Sequence, residues 1–159
     1  MRLTKSKFVM ALTCPTKLYY MAHPEYANQS VDDTFLAALA EGGFQVGELA
    51  KQYFPGGFNI GTLDTIKALG ETNELLKNEN VIIFEAAVKY ENCFIRVDVL
   101  EKKGNFIKIH EVKAKSFNGN EATNFLKKDG TPNSIWKKYL YDVAFQKWVC
   151  SRALSNNMI

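Results

Sequence analysis

Histidine is scarce in this chain, with two among 159 residues, and the three cysteines stand apart from one another. Cys14, Cys93 and Cys150 form no CxxC pair and no Cys/His spacing, so neither a disulfide framework nor a closed zinc site is indicated and three reduced thiols are expected. Long apolar runs are lacking as well. Val81 to Phe84 is typical of those present, far short of the roughly 18 to 20 residues that cross a bilayer. Phe8 to Leu12 is too short for a signal-peptide core and is soon followed by Lys17, so the chain reads as cytoplasmic with no membrane partner. Charge of one sign is not abundant either. A net charge of +3 names no polyanionic partner by itself, although Lys113, Lys115, Lys127, Lys128, Lys137 and Lys138 gather in one stretch.

What is present is enough apolar residues, 47% of the chain, to build one core, and the length favours a single domain over residues 1–159. Lys5 to Thr13 reads as a short helix, restarted by Cys14-Pro15, because proline suits a first helical turn. A longer helix runs from a cap at Ser30 or Asp32 to the breaker Pro55-Gly56-Gly57, and a polar one spans about Asp64 to Lys77. Three β-rich runs follow, Val81 to Tyr90, Phe94 to Glu101 and Phe106 to Ala114, separated by Glu91-Asn92 and by Lys102 to Asn105. After a polar loop over Lys115 to Asn133, Ser134 opens an amphipathic helix that reaches about Leu154. The fold class is therefore α/β of the α+β kind: N-terminal helices, a three-stranded antiparallel meander and a long C-terminal helix.

Closing the two hairpins on their turns brings acids together. With Tyr90 opposite Cys93, Glu85 falls opposite Asp98; with Glu101 opposite Phe106, Asp98 falls opposite Ile109 and Arg96 opposite Glu111. Side chains alternate with period two and opposed residues share a face. Glu85, Asp98, Glu111 and Lys113 thus project from one face, among Ile83, Ala87, Leu100, Ile107 and Ile109. Crowded carboxylates in an apolar setting repel unless a cation neutralises them. A hard divalent ion such as Mg²⁺ or Mn²⁺ answers that need with few protein ligands, and without it Asp98→Asn should stabilise the fold. A solvated edge of gatekeeper charges is the structural alternative, and a one-residue slip in a turn would separate Asp98 from Glu111.

Glu111-Val112-Lys113, with Arg96-Val97-Asp98 on the strand before it, resembles the signature of the PD-(D/E)xK nucleases. The order of elements, the opening Leu3-Thr4-Lys5-Ser6-Lys7 with Leu12-Thr13-Cys14-Pro15, and Tyr141 to Gln146 are similar to the RecB-like branch, including bacterial proteins that echo the CRISPR-associated iron–sulfur exonucleases. That resemblance implies a restriction-endonuclease-like core and a Mg²⁺- or Mn²⁺-dependent nuclease acting on nucleic acid, with DNA favoured. By the same resemblance Asp98 and Glu111 bind the metal, Val112 offers its carbonyl, Glu85 is a further ligand, Lys113 orients or activates the attacking water, and Gln146 belongs to the active-site region. The alternative is a catalytically inactive nucleic-acid-binding or scaffolding module with the same fold.

The sequence also departs from that pattern. No complete iron–sulfur cluster can form, because only Cys150 lies beyond the middle of the last helix. The early helix carries no metal-binding histidine, with Glu48 the nearest substitute; His23 and His110 read as structural. The core's last strand is missing after the Gln146 helix, which implies a fragment of a longer protein with a further C-terminal domain. Alternatively, the open edge along Phe106 to Ala114 would pair with a second copy of the chain.

Overall fold

The computed structural model describes residues 2–23, 25–26, 33–115, 125–127, 129–155 and 157–159. Those residues form a mixed α/β arrangement of five helices and one five-stranded sheet. The chain runs β1 (Leu3–Thr4), α1 (Lys5–Thr13), α2 (Pro15–Met21), α3 (Thr34–Gln52), β2 (Phe58–Asn59) and α4 (Thr65–Leu75). It continues through β3 (Asn80–Tyr90), β4 (Cys93–Lys103) and β5 (Phe106–His110) to α5 (Ser134–Ala153).

The expected meander is there, extended by two short parallel strands: β1 pairs with the start of β4, and β2 pairs with β3. Two-residue strands leave too little alternation to be seen in a sequence. The first hairpin has the expected register, with Tyr90 opposite Cys93 and Ile83 opposite Leu100. The second is shifted by two residues from expectation. Its turn is Gly104-Asn105 rather than four residues, because Gly104 takes a φ of 56° and Lys103 already pairs with Phe106. A shift of two keeps every side chain on its expected face. Continued one residue past His110, the same register would put Glu111 opposite Asp98 rather than Arg96.

Strand β5 ends at His110 rather than Ala114. The start of its far edge is covered: Met158 makes a parallel bridge with Phe106, and Ile107 N–H donates to the Met158 carbonyl at 2.8 Å. Among the cap residues, Asp33 accepts the Phe35 N–H at 2.9 Å at the start of α3, while Ser30 and Asp32 lie outside the described residues.

Helix α5 buries Asp142, Phe145, Gln146, Val149 and Cys150, a run at helical spacing that includes two polar members. Phe145 stacks on Phe8 of α1 with ring centroids 4.4 Å apart, and burial of such a side chain is worth about 1.5–3 kcal/mol. This apolar contact seats α1 and α5 beside each other. Thr72 of α4 takes the Ala87 N–H of β3 on its hydroxyl at 3.0 Å, satisfying the strand beyond the end of β2. No helix among the described residues is long and apolar enough to cross a membrane.

Candidate functional site

The site lies where the sheet is interrupted. β3 pairs with one side of β4 along its length, whereas β1 and β5 share the other side, β1 at Cys93 and Phe94 and β5 from Val99 onward. The intervening stretch of β4 holds Arg96 and Asp98. On the β3 side, Phe84 pairs with Val99 and Ala86 with Val97, while Glu85 between them has a φ of 55° and breaks the ladder opposite Asp98. A left-handed conformation at a non-glycine residue costs on the order of 1 kcal/mol or more, so neighbouring contacts must hold it.

Asp98 is bound from two directions. The Val112 N–H donates to Oδ2 at 2.7 Å and the Lys5 ammonium to Oδ1 at 3.1 Å. The same ammonium donates to both oxygens of Glu111, at 3.2 and 3.0 Å, and reaches the Arg96 carbonyl at 3.5 Å. Lys5 is able to do this because β1 anchors Leu3 and Thr4 on β4, and the Thr4 hydroxyl then caps α1 by accepting the Lys7 N–H. Lys113 pairs closely with Glu111 Oε1 and lies 3.4 Å from Asp142 Oδ2. Gln146 donates to Glu111 Oε2 at 2.6 Å and to Asp142 Oδ1 at 3.1 Å.

The result is one network of three carboxylates, two ammonium groups and a carboxamide. The side chains of Glu111 and Asp142 are only 7% and 6% exposed. Burial works against the Lys5 ammonium, but facing Asp98 and Glu111 outweigh it and hold its pKa above the ordinary lysine value. Burial pushes Glu111 up; Lys5, and then Lys113 and Gln146, more than offset this and hold it below the usual glutamate value. Lys113 is likewise desolvated, and its contact with Glu111 raises it. Asp142 is raised by burial and by the charge of Glu111, beyond what Lys5 and Lys113 restore.

Of the residues named from sequence, Asp98, Glu111, Lys113 and Gln146 converge. Val112 is adjacent, presenting its N–H to Asp98. Glu85 does not join them: its carboxylate is held at 3.2 Å by Arg96 Nε, 45% exposed. Arg96 Nη1 donates to the Thr62 carbonyl at 2.8 Å and Nη2 to the Ile60 carbonyl, fastening the segment after β2 against the sheet. Lys5 was not expected in the site, and Asp142, one helical turn before Gln146 in the stretch that carries the resemblance, was given no role there. His110 contacts Glu101 at 3.2 Å and Phe54, away from the network.

Two openings meet at Lys113. A cleft of about 750 Å³ is lined by Glu48, Lys51, Glu85, Arg96, Asp98 and Val112 among others, and a hollow of about 430 Å³ by Lys5, Thr13, Lys17 and Asp142. Among the described residues no three Asp, Glu, His or Cys side chains converge as a metal-holding group. The Asp98–Glu111 pair nevertheless fits a small divalent cation, since Mg²⁺ is usually held by one or two carboxylates and completes its shell with water and phosphate. Both carboxylates already direct oxygens at one cationic nitrogen. Comparison with protein-family models, curated proteins and solved structures finds no match.

Proposed function

We propose that this chain is a Mg²⁺- or Mn²⁺-dependent nuclease domain of the PD-(D/E)xK type, RecB-like and restriction-endonuclease-like in its core, which hydrolyses phosphodiester bonds in nucleic acid, DNA foremost, in the cytoplasm. The observation that supports this most is the convergence of Asp98 and Glu111 on one cation, with Lys113 against Glu111. Buried ion pairs seldom improve stability over apolar packing, so a partly buried charge cluster beside a cleft is better accounted for by chemistry than by folding.

In this reading Asp98 and Glu111 hold the metal, with the Val112 carbonyl as the nearby main-chain oxygen and Glu85 too far engaged with Arg96 to be a direct ligand. The bound metal would supply Lewis acidity and lower the pKa of the attacking water. Lys113 orients that water and offsets charge developing on the phosphate oxygens. Gln146 keeps Glu111 in one orientation through its carboxamide. Asp142 tethers Lys113 on the side away from the cleft.

A second reading draws on Lys5. Its ammonium already satisfies both acids, as in a catalytically inactive nucleic-acid-binding or scaffolding module. Incubation with labelled DNA separates the two. The nuclease reading expects cleavage in Mg²⁺ or Mn²⁺, none in EDTA, and a loss of at least about 10²-fold in Lys113→Ala, typical of a lost charge-stabilising donor, with metal affinity retained. DNA binding without metal uptake or cleavage would favour the module, and equal cleavage in EDTA would exclude the metal mechanism.

A further inference from the structure

Lys5 lies 93 residues from Asp98 in sequence and yet occupies the point on which the two acids converge. Three carboxylate oxygens, one from Asp98 and two from Glu111, lie 3.0–3.2 Å from its nitrogen. A divalent ion of this size takes oxygen ligands at about 2.0–2.1 Å. An ammonium and a metal cannot share those oxygens at such distances, both for lack of room and because like charges repel in a poorly solvated site.

We propose that Lys5 is a built-in competitor for the metal position, a positioning residue that occupies the Asp98–Glu111 pair until the metal displaces it. The inference rests on the nuclease reading and extends it to a residue outside the signature. The displaced side chain has a place to go: the hollow of about 430 Å³ that Lys5 itself lines also contains Asp142, the third carboxylate of the network. There the ammonium exchanges two acids for one and stays beside Lys113, where a substrate phosphate would arrive. Because Lys5 opens α1, metal loading is coupled to the first turn of that helix. The arrangement keeps two adjacent carboxylates neutralised in the metal-free protein and sets the metal concentration at which the site fills.

The test is calorimetric titration with Mn²⁺ of the whole chain as wild type, Lys5→Met, Lys5→Arg and Asp98→Asn. Removing the competitor should tighten Mn²⁺ binding in Lys5→Met by about tenfold or more, each factor of ten being 1.4 kcal/mol. Arginine, whose planar fork grips carboxylates more firmly, should weaken binding below wild type. Thermal scans should show Lys5→Met less stable than wild type in EDTA, with a larger gain from Mn²⁺. Should Lys5→Met fail to fold, the weakened binding of Lys5→Arg decides the matter. Affinities within twofold of one another in wild type and both Lys5 variants overturn the competition and leave the nuclease reading standing. Absence of Mn²⁺ binding in all the proteins overturns both.

Discussion

The Val112 N–H donates to Asp98 Oδ2 at 2.7 Å, so the acid on β4 is oriented by the backbone of the segment that carries the second acid. Asp98 Oδ1 meanwhile faces Lys5. An asparagine has one acceptor oxygen for these two donors. Asp98→Asn is therefore expected to destabilise the metal-free protein by about 1–3 kcal/mol, the usual cost of an unsatisfied polar group. Urea denaturation in EDTA measures it. Acid crowding alone would give the opposite sign, and a stabilised variant would mean that Lys5 does not neutralise the pair in solution.

Gln146 is 1% exposed and gives its carboxamide hydrogens to two carboxylates. Gln146→Glu would set a third acid against Glu111 and Asp142, at a cost of about 3–5 kcal/mol for an uncompensated buried charge. Burial and like charge raise the pKa of the new carboxyl in the folded state. The variant should approach wild-type stability below the ordinary carboxylate range and lose it as pH rises through the raised value. Melting temperatures at a series of pH values would show this, and a loss independent of pH would exclude charge as its cause.

The acids of the network pull stability in opposite directions. Asp142 has a raised folded pKa, so its contribution is full below the ordinary aspartate value and is lost as pH rises through the folded one. Glu111 has a depressed folded pKa, so its contribution is full above the ordinary glutamate value and is lost as pH falls through the folded one. Asp142→Asn should therefore be more stable than wild type at neutral pH and lose that advantage in acid. The acid limb due to Glu111 should persist in the variant. An Asp142→Asn protein less stable than wild type at neutral pH would show that the Lys113 contact outweighs the repulsion from Glu111.

Gly57 stands just before β2, where a Cβ would lie 2.4 Å from the Phe84 ring and 3.0 Å from Ile82 Cγ2. Phe84 is buried and has little freedom to yield. Gly57→Ala is expected to cost about 1–3 kcal/mol, as overpacking does, measurable as a lower urea midpoint. An unchanged midpoint would mean that the ring moves aside without cost.

Much of this architecture could be read from residue order, for physical reasons that also mark the limits. Strand alternation and the Glu91-Asn92 turn sufficed to put Tyr90 opposite Cys93. The second hairpin departs from the expected register by two residues because Lys102 and Lys103 look like turn residues yet pair within the ladder. Facing was preserved, since period-two alternation is unchanged by an even shift. By count Glu85 falls opposite Asp98, but the ladder skips that pair, and the positive φ and the pull of Arg96 that take Glu85 out of it are tertiary effects with no local signature. Lys5 was hidden for a different reason. A long flexible side chain at a helix start reaches a site formed by distant strands, and although the start of that helix is legible, its seat against β4 depends on the two-residue β1 contact.

Arg96 is the residue next but one to Asp98, and two of its three bonds go to the main-chain carbonyls of Ile60 and Thr62. A tether to carbonyls is indifferent to which side chains the tethered segment carries. Positions 60 to 62 are thus free, as far as this clasp is concerned, to drift in sequence while the backbone stays in place. The arginine has no such latitude, because a lysine could not serve two carbonyls and a carboxylate from one planar group. Variation along this stretch should accordingly be lopsided, permissive at positions 61 and 62, restricted at the buried Ile60 by its packing, and strict at the arginine that clasps the backbone.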